Sequence, residues 1–360
     1  MISVINKKGK DQGFKFSYVL GNSITFFVVF FVNFCFAQNT SNLNFTLPQL
    51  HDSIDYVMVG EDHFQQNAEL RLKFVERLID KGFKTIFIEI ETLDQVIVDR
   101  FFNDELNEKD LNFNFFNKKD QINFLIGLKK KFGLKIKNHE LSVFCCEVFY
   151  SRRNLKTLKR FISLFNHPLA VKQLKFIELV GSSKETEKII YGKLIDDLKT
   201  FKSDYIQAYG NYYHTFLNSL YQVTKIQSYE DPVINEEVYV LRDKLIDSTI
   251  RVKNNSNSKS IVFTGRYSLL SDANKFFDKS LYYYLGAGGN QIMRFYLLYF
   301  PANPFSGLVN FSDEKALKKR WKTTYKKTSL LFVPSNEINE LDYSTDICDY
   351  FLFLNKRKTH

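Results

Sequence analysis

The alternation of apolar and polar residues predicts a strand–helix–strand unit near the start of the chain. The apolar run Tyr56–Val59 is short and is typical of a buried strand. From Asn67 to Lys81 the apolar residues recur at helical spacing, and Gly82 follows where a helix end favours a left-handed residue. A second apolar strand runs from Lys84 to Glu89. This order predicts a right-handed βαβ crossover between two adjacent parallel strands.

Polar side chains at the ends of these two strands form a candidate site. Glu61 and His63 follow the first strand, and Glu89 closes the second. Because parallel neighbours end at the same edge of a sheet, the three side chains are expected to converge where open α/β sheets bind their ligands. Imidazole titrates near neutral pH and a neighbouring carboxylate raises its basicity, so the pattern fits general-base chemistry. The alternative is a helix-capping histidine beside two solvated acids.

The remaining pattern predicts more strands around a helical middle section. A third strand is expected at Leu134–Ile136, ending near His139 and Glu140, and the chain is mainly helical from about 152 to 252. Later strands are expected at 260–264, 292–299, 329–333 and 350–354. Strands at both ends with helices between them predict one α/β domain over 38–360. Its central, mainly parallel sheet is flanked by helices, and a helical insertion lies in the middle of the chain.

The N-terminus has the pattern of a secretory signal peptide. A lysine-rich leader precedes the apolar run Ile24–Phe36, and the small residues Cys35 and Ala37 mark a cleavage site before Gln38. The alternative is an uncleaved anchor, since the apolar stretch nearly reaches membrane-spanning length. With cleavage, residues 1–37 are removed and the mature protein is periplasmic or secreted.

The net charge bears on which partners the protein can bind, and the cysteines and histidines bear on metal binding. Cleavage removes four lysines and one aspartate, which lowers the formal net charge from +10 to +7. Export argues against nucleic acid as a partner and favours an anionic envelope surface, while a solvated lysine-rich exterior is the simpler explanation. Cys145, Cys146 and Cys348 have no metal-like spacing, so we expect them to be buried and unreactive. No histidine pair has metal-ligand spacing either, and the residues specify no cofactor.

Several blocks in order along the chain resemble the erythromycin-esterase-like and ChaN-like superfamily of envelope and secreted proteins. The resembling blocks are Gly60–His63, the helix up to Gly82-Phe83, Ile86–Glu89, Arg242-Asp243, Ile261–Thr264 and Cys348–Phe353. Members of this superfamily include macrolide esterases, haem-binding lipoproteins and metal-dependent peptidases, so the resemblance leaves the chemistry open.

The resemblance implies roles for individual residues. His63 would activate water as the general base, with Glu61 or Glu89 orienting it. Arg242 would be a cation at the same edge, the alternative being a salt bridge on a helix face. After Ile261–Thr264 this superfamily usually has one or two histidines, whereas this chain has Gly265-Arg266-Tyr267-Ser268. Arg266 or Tyr267 would then bind an oxyanion or an anionic substrate group.

Two classes of function follow for a small-molecule substrate or ligand. The first is a hydrolase that uses water to attack an ester or related acyl bond, which the intact first block favours. The second is a non-catalytic envelope protein, a pseudoenzyme that binds haem or another small hydrophobic molecule. The missing second histidine favours this second class.

Overall fold

The computed structural model describes residues 46–61, 67–113, 118–148, 154–180, 184–227, 236–254, 258–269, 279–300, 330–335 and 348–355. The strands are β1 Tyr56–Glu61, β2 Thr85–Glu91, β3 Ser142–Glu147, β4 Ser260–Gly265, β5 Ile292–Phe300, β6 Leu330–Pro334 and β7 Tyr350–Asn355. The first helices are α1 Ala68–Ile79, α2 Gln95–Phe102 and α3 Lys118–Lys137. The later helices are α4 Asn154–Ser163, α5 Pro168–Val180, α6 Lys184–Thr200, α7 Lys202–Tyr209, α8 Tyr213–Gln227, α9 Glu236–Lys253 and α10 Leu281–Gly286.

The strands form one mainly parallel sheet in the order β3-β2-β4-β1-β5-β7-β6. Only β6 runs antiparallel to its neighbour, β7, among the described strands. Helices α4–α9 form the helical insertion between β3 and β4. The predicted α/β class, the parallel sheet and the insertion are therefore confirmed.

The predicted adjacency of the first two strands is wrong, because β4 lies between β1 and β2. Ser260 at the start of β4 is level with Tyr56 of β1 on one side and with Thr85 of β2 on the other. The apolar residues of β4 are completely buried, as suits a central parallel strand. The crossover from β1 through α1 to β2 therefore skips one strand position.

Alternate residues of each strand pack into different layers. In β1, Val57 and Val59 join the apolar core that includes α1 and α3, whereas Met58 joins the core that includes α9 and α10. In β2, Ile88 belongs to the first core and Phe87 to the second. Successive side chains of a strand point to opposite faces, so the two cores mark the two faces of the sheet.

The predicted third strand is also wrong, because residues 134–136 form the last turn of α3. Leu134 is 78% exposed, so its apolar character contributes to no core. The chain reverses at His139, which adopts a left-handed φ of 58°, and the strand follows at Ser142–Glu147. His139 and Glu140 are exposed residues of this turn.

Two further local features complete the frame. Gly82 adopts a φ of +86° after α1, which confirms the predicted left-handed helix end. The side chain of Gln95 contacts the outer strand β3: its Nε2 donates to the carbonyl of Val143 at 3.0 Å, and its Oε1 accepts from the backbone N–H of Cys145 at 2.7 Å. Within the described ranges, no helix combines the length and the apolar character needed to cross a membrane.

Candidate functional site

A buried arginine on α9 joins three carboxyl groups at the carboxyl edge of the sheet. Arg242 Nε donates to Glu147 Oε1 at 2.9 Å, and its Nη1 donates to Asp243 Oδ1 at 3.1 Å. Its Nη2 contacts both Glu89 Oε1 and Glu147 Oε2. Only 14% of the Arg242 side chain is exposed, and the paired carboxylates are at least as well buried. The predicted residues Glu89 and Arg242 are thus brought into direct contact.

The positions of these acids follow from the strands. Glu89 lies two residues after Phe87, so it points to the face of the sheet that α9 covers. Glu147 is the last residue of β3 and receives the backbone N–H of Val148 at 2.8 Å. The helical insertion therefore supplies the cation, and two strand ends supply the anions.

Asp243 links α9 to the segment that follows β4. Its Oδ1 accepts from Ser268 Oγ at 3.2 Å and its Oδ2 from the backbone N–H of Leu281 at 2.9 Å. Ser268 belongs to the 3-10 turn Arg266–Leu269, where the resembling superfamily has histidine. Arg266 and Tyr267 share this turn, and their side chains lie outside the described part of the structure.

Burial shapes the protonation of this cluster. It raises the pKa of Glu147 to about 7, against the opposing effect of Arg242 and with a further increase from Glu89. Burial likewise raises the pKa of Asp243 to about 6, again opposed by Arg242. Burial disfavours the charge on Arg242, but the surrounding carboxylates outweigh it and hold its pKa well above its ordinary value. Two carboxyl groups that exchange protons near neutral pH therefore flank a permanent cation.

Glu61 belongs to a separate polar cluster on the opposite face of the sheet. Its Oε2 accepts from Asn67 Nδ2 at 2.9 Å, and its Oε1 lies 3.4 Å from Arg71 Nη1. Arg71, which is fully buried, also donates to Gln121 at 2.8 Å and to Asp120 at 2.6 Å. The other oxygen of Asp120 accepts the backbone N–H of Asn67 at 2.9 Å. This cluster ties the end of β1 to the starts of α1 and α3.

The described residues on either side of the segment that carries His63 belong to the Glu61 cluster. Residues 62–66, including His63, lie outside the described part of the structure. The residues on either side of this segment, Glu61 and Asn67, are joined by their 2.9 Å side-chain hydrogen bond. Glu61 and Glu89 both lie at the carboxyl edge, but their described ion pairs are with different arginines, Arg71 and Arg242.

Two further buried acids lie at the end of β2 and in the turn that follows it, Glu91 and Asp94. Burial and the neighbouring Asp94 raise the pKa of Glu91 to about 8, while a hydrogen bond with Thr157 opposes the rise. Burial also raises the pKa of Asp94 to about 6, against the opposing charge of Arg160, which contacts it directly. Glu91 is level with Glu147 in the sheet, so this pair borders the Arg242 cluster.

Several residues of these clusters were not predicted from the sequence. For two of them, Glu147 and Arg71, the sequence does contain a signal. Glu147 closes the apolar run Val143–Cys146, just as Glu61 and Glu89 close theirs. Arg71 has the spacing of Val75 and Leu78 and is therefore a charged residue on the apolar face of α1.

Metal and thiol chemistry receive no support from the described residues. No cluster of three or more histidine, cysteine, aspartate or glutamate side chains there has the geometry to hold a metal ion. Cys145, Cys146 and Cys348 are buried and form no disulfide with one another, and burial raises each thiol pKa well above its ordinary value. The prediction that these cysteines are buried is confirmed, and the raised pKa of each thiol disfavours the reactive thiolate.

Comparison with known proteins defines the class of this fold. No family model matches the sequence, and no curated protein sequence matches it. A Bacillus cereus protein of solved structure has 13% identity and a TM-score of 0.56, covering 84% of this chain and 88% of its own. A succinoglycan biosynthesis protein has 11% identity and a TM-score of 0.55 with the same coverage.

An erythromycin esterase is also similar to this chain. The structure of a mutant of the esterase EreC in its open conformation has 11% identity and a TM-score of 0.51, covering 84% of this chain and 90% of its own. At these identities the likeness concerns the fold. The resemblance to the erythromycin-esterase-like superfamily is therefore confirmed at the level of the fold.

Proposed function

We propose that this protein is a hydrolase that cleaves an ester or related acyl bond by water attack at the carboxyl edge of the sheet. In this proposal His63 is the general base, and either Glu61 or Glu89 is the carboxylate that orients it. The supporting observation is the buried cluster in which Arg242 is paired with Glu89 and with carboxyl groups of near-neutral pKa. Titratable groups perturbed by burial and by a specific partner are typical of catalytic sites.

The cluster suggests a division of roles. The ion pair with Arg242 fixes the position of the Glu89 carboxyl group, so Glu89 is suited to orient a base or a water molecule. Glu147 and Asp243, with pKa values of about 7 and about 6, are suited to exchange protons near neutral pH. Arg242 is therefore a positioning residue in this proposal.

The test is a turnover assay of the purified protein with aryl esters and lactones, each with and without added divalent metal ions. His63→Ala is expected to lower turnover by about 10²–10⁴, the usual contribution of a positioned base. Glu89→Gln is expected to cost less if Glu89 only orients the base. His214→Ala on α8 is the matched control, because this histidine is exposed and outside the cluster.

The main alternative is a non-catalytic protein that binds haem or another small hydrophobic molecule. One observation favours it: Ser268 occupies the turn where the resembling superfamily has histidine, and its hydroxyl is bound to Asp243. Titration with haem, followed by its absorbance, tests this alternative. If His63→Ala abolishes haem binding while any hydrolysis is unchanged, the hydrolase proposal is wrong.

A further inference from the structure

One buried hydroxyl group at the carboxyl edge of the sheet has no partner among the described residues. Thr264, near the end of β4, is only 2% exposed, and no described residue hydrogen-bonds to its Oγ1. Such a group is rare in folded proteins and costs stability, because it has given up the hydrogen bonds that it makes to water in the unfolded chain. The Thr264 hydroxyl is therefore a candidate to bind a small molecule, as donor or as acceptor.

The side chain of Thr264 points to the same face of the sheet as Glu89. Val262, two residues earlier in β4, belongs to the core that includes α9. Phe87, two residues before Glu89 in β2, belongs to the same core. Because alternate residues of a strand share a face, the Thr264 hydroxyl lies on the face that α9 and Arg242 cover.

Thr264 and Glu89 are also neighbours across two adjacent strands. Phe263 of β4 is level with Ile88 of β2. Thr264 and Glu89 are the next residues of these strands. Neighbouring strands lie about 4.7–4.9 Å apart, a separation that one water molecule spans with two hydrogen bonds of about 2.8 Å.

On its other side, Thr264 is level with Gly60 of β1. Glycine has no side chain, and the next residue along this row is Tyr296 of β5. At this level β1 therefore places no side chain over the Thr264 hydroxyl and offers it no side-chain partner.

We propose that Thr264 binds the attacking water of the hydrolase and holds it against the Glu89 carboxyl group. This inference rests on the proposed function. Thr264 Oγ1–H donates to the water oxygen, and one water proton bonds to Glu89, whose position is fixed by the ion pair with Arg242. The second water proton and one lone pair of the water oxygen are then left for the reaction.

The reaction uses both of these groups. The lone pair of the water oxygen forms the new bond to the acyl carbon, while the second proton passes to the proposed general base. The bond from that carbon to the alcohol oxygen then breaks, and the alcohol oxygen takes the proton from the base. The products are a carboxylic acid and an alcohol.

Hydrolysis of p-nitrophenyl acetate by the purified protein tests the role of the hydroxyl. Thr264→Val keeps the shape of the side chain and removes the hydroxyl. Its kcat is expected to fall about tenfold or more, the effect of about one hydrogen bond lost from the transition state. Its KM is expected to be unchanged, because the hydroxyl binds water and not the ester. Thr264→Ser, which keeps the hydroxyl, is expected to have a kcat close to that of the wild type.

Thr85→Val is the matched control. Thr85 is a buried threonine at the start of β2, at the opposite edge of the sheet, and its hydroxyl is hydrogen-bonded to Ser258 Oγ at 2.6 Å. This control is expected to keep its kcat and to unfold at a lower urea concentration, because it breaks that bond. Thr264→Val is expected to unfold at the wild-type urea concentration or above it. A lower midpoint for Thr264→Val would mean that the hydroxyl stabilises the fold, and this result overturns the proposal.

Crystal structures of the wild type and of Thr264→Val locate the water directly. A water molecule within about 3 Å of both Thr264 Oγ1 and the Glu89 carboxyl group is expected in the wild type and not in the variant. Its absence from the wild type, or its persistence in the variant, overturns the proposal.

The kinetics separate this inference from the proposed function. If His63→Ala abolishes turnover while Thr264→Val keeps the full kcat, the role of Thr264 is wrong and the hydrolase proposal stands. If the wild type hydrolyses neither aryl esters nor lactones, the proposed function fails, and the attacking role of this water fails with it.

Discussion

Replacing Arg242 by methionine tests whether its ion pairs hold the insertion against the sheet. The substitution leaves Glu89, Glu147 and Asp243 without the cation that they share. Only 14% of the Arg242 side chain is exposed, so water can do little to stabilise the carboxylate charges that the substitution leaves without a partner. Removing one partner of a buried ion pair costs about 3–5 kcal/mol. Because a domain is stable by only about 5–15 kcal/mol, the expected loss is a large part of the free energy of unfolding.

The loss is expected to depend on pH in a defined direction. The pKa of Glu147 is about 7 and that of Asp243 about 6, both above their ordinary values, and Arg242 opposes the rise in each. Without Arg242 these folded-state pKa values rise further. A carboxyl group whose pKa is higher in the folded state takes up protons on folding, so the free energy of unfolding falls as pH rises towards that pKa. The decrease in the free energy of unfolding caused by Arg242→Met is therefore expected to be smallest near about pH 5 and largest near about pH 8.

Urea unfolding of wild type and variant, followed by circular dichroism across this pH range, measures the effect. The control is Lys193→Met on α6, whose ion pair with Asp197 is 3.0 Å long and whose side chain is 55% exposed. That exposed pair is expected to contribute less than about 1 kcal/mol. If both variants lose the same free energy, or if the Arg242→Met loss is independent of pH, the reasoning is refuted.

Three further outcomes are expected. Glu91→Gln removes a buried carboxyl group with a pKa of about 8, so urea unfolding should show a smaller decline in stability as pH rises from about 5 to 8. Asp120→Asn leaves the buried Arg71 charge less compensated, and chemical unfolding at neutral pH should show a loss of about 3–5 kcal/mol. For export, mass spectrometry of protein from the native envelope should show an N-terminus at or near Gln38. Intact Met1 on soluble cytosolic protein would contradict export.

The local pattern predicted most elements, because each strand and helix carries its own periodicity. The strands β1, β2 and β4–β7 lie where apolar runs occur, and the insertion lies where helical spacing does. The order of strands follows from long-range contacts, so the pattern did not reveal that β4 separates β1 from β2. The short apolar run Leu134–Ile136 was mistaken for a strand because three residues carry too little periodicity to separate a helix from a strand.

The sequence located some of the candidate site residues but could not show which of them contact one another, because those contacts depend on the long-range arrangement of the strands. Glu89 and Arg242 were each expected at the carboxyl edge, and the structure shows that their side chains form an ion pair, which the sequence did not predict. Which face a strand-end residue points to depends on the register between strands. Glu61 shares the α1 face with Val59, while Glu89 shares the α9 face with Phe87, and a single strand read alone cannot reveal this difference.

The contact between Gln95 and β3 has a consequence for how the protein behaves in a crowded compartment. An outer strand presents unpaired N–H and C=O groups that invite pairing with a strand of another molecule. The carbonyl of Val143 and the N–H of Cys145 are two such groups, spaced as one residue of a neighbouring strand would bind them, and the Gln95 amide occupies both. One side chain thus imitates a residue of an absent strand. It leaves two fewer backbone groups on this edge for a strand of another molecule to bind.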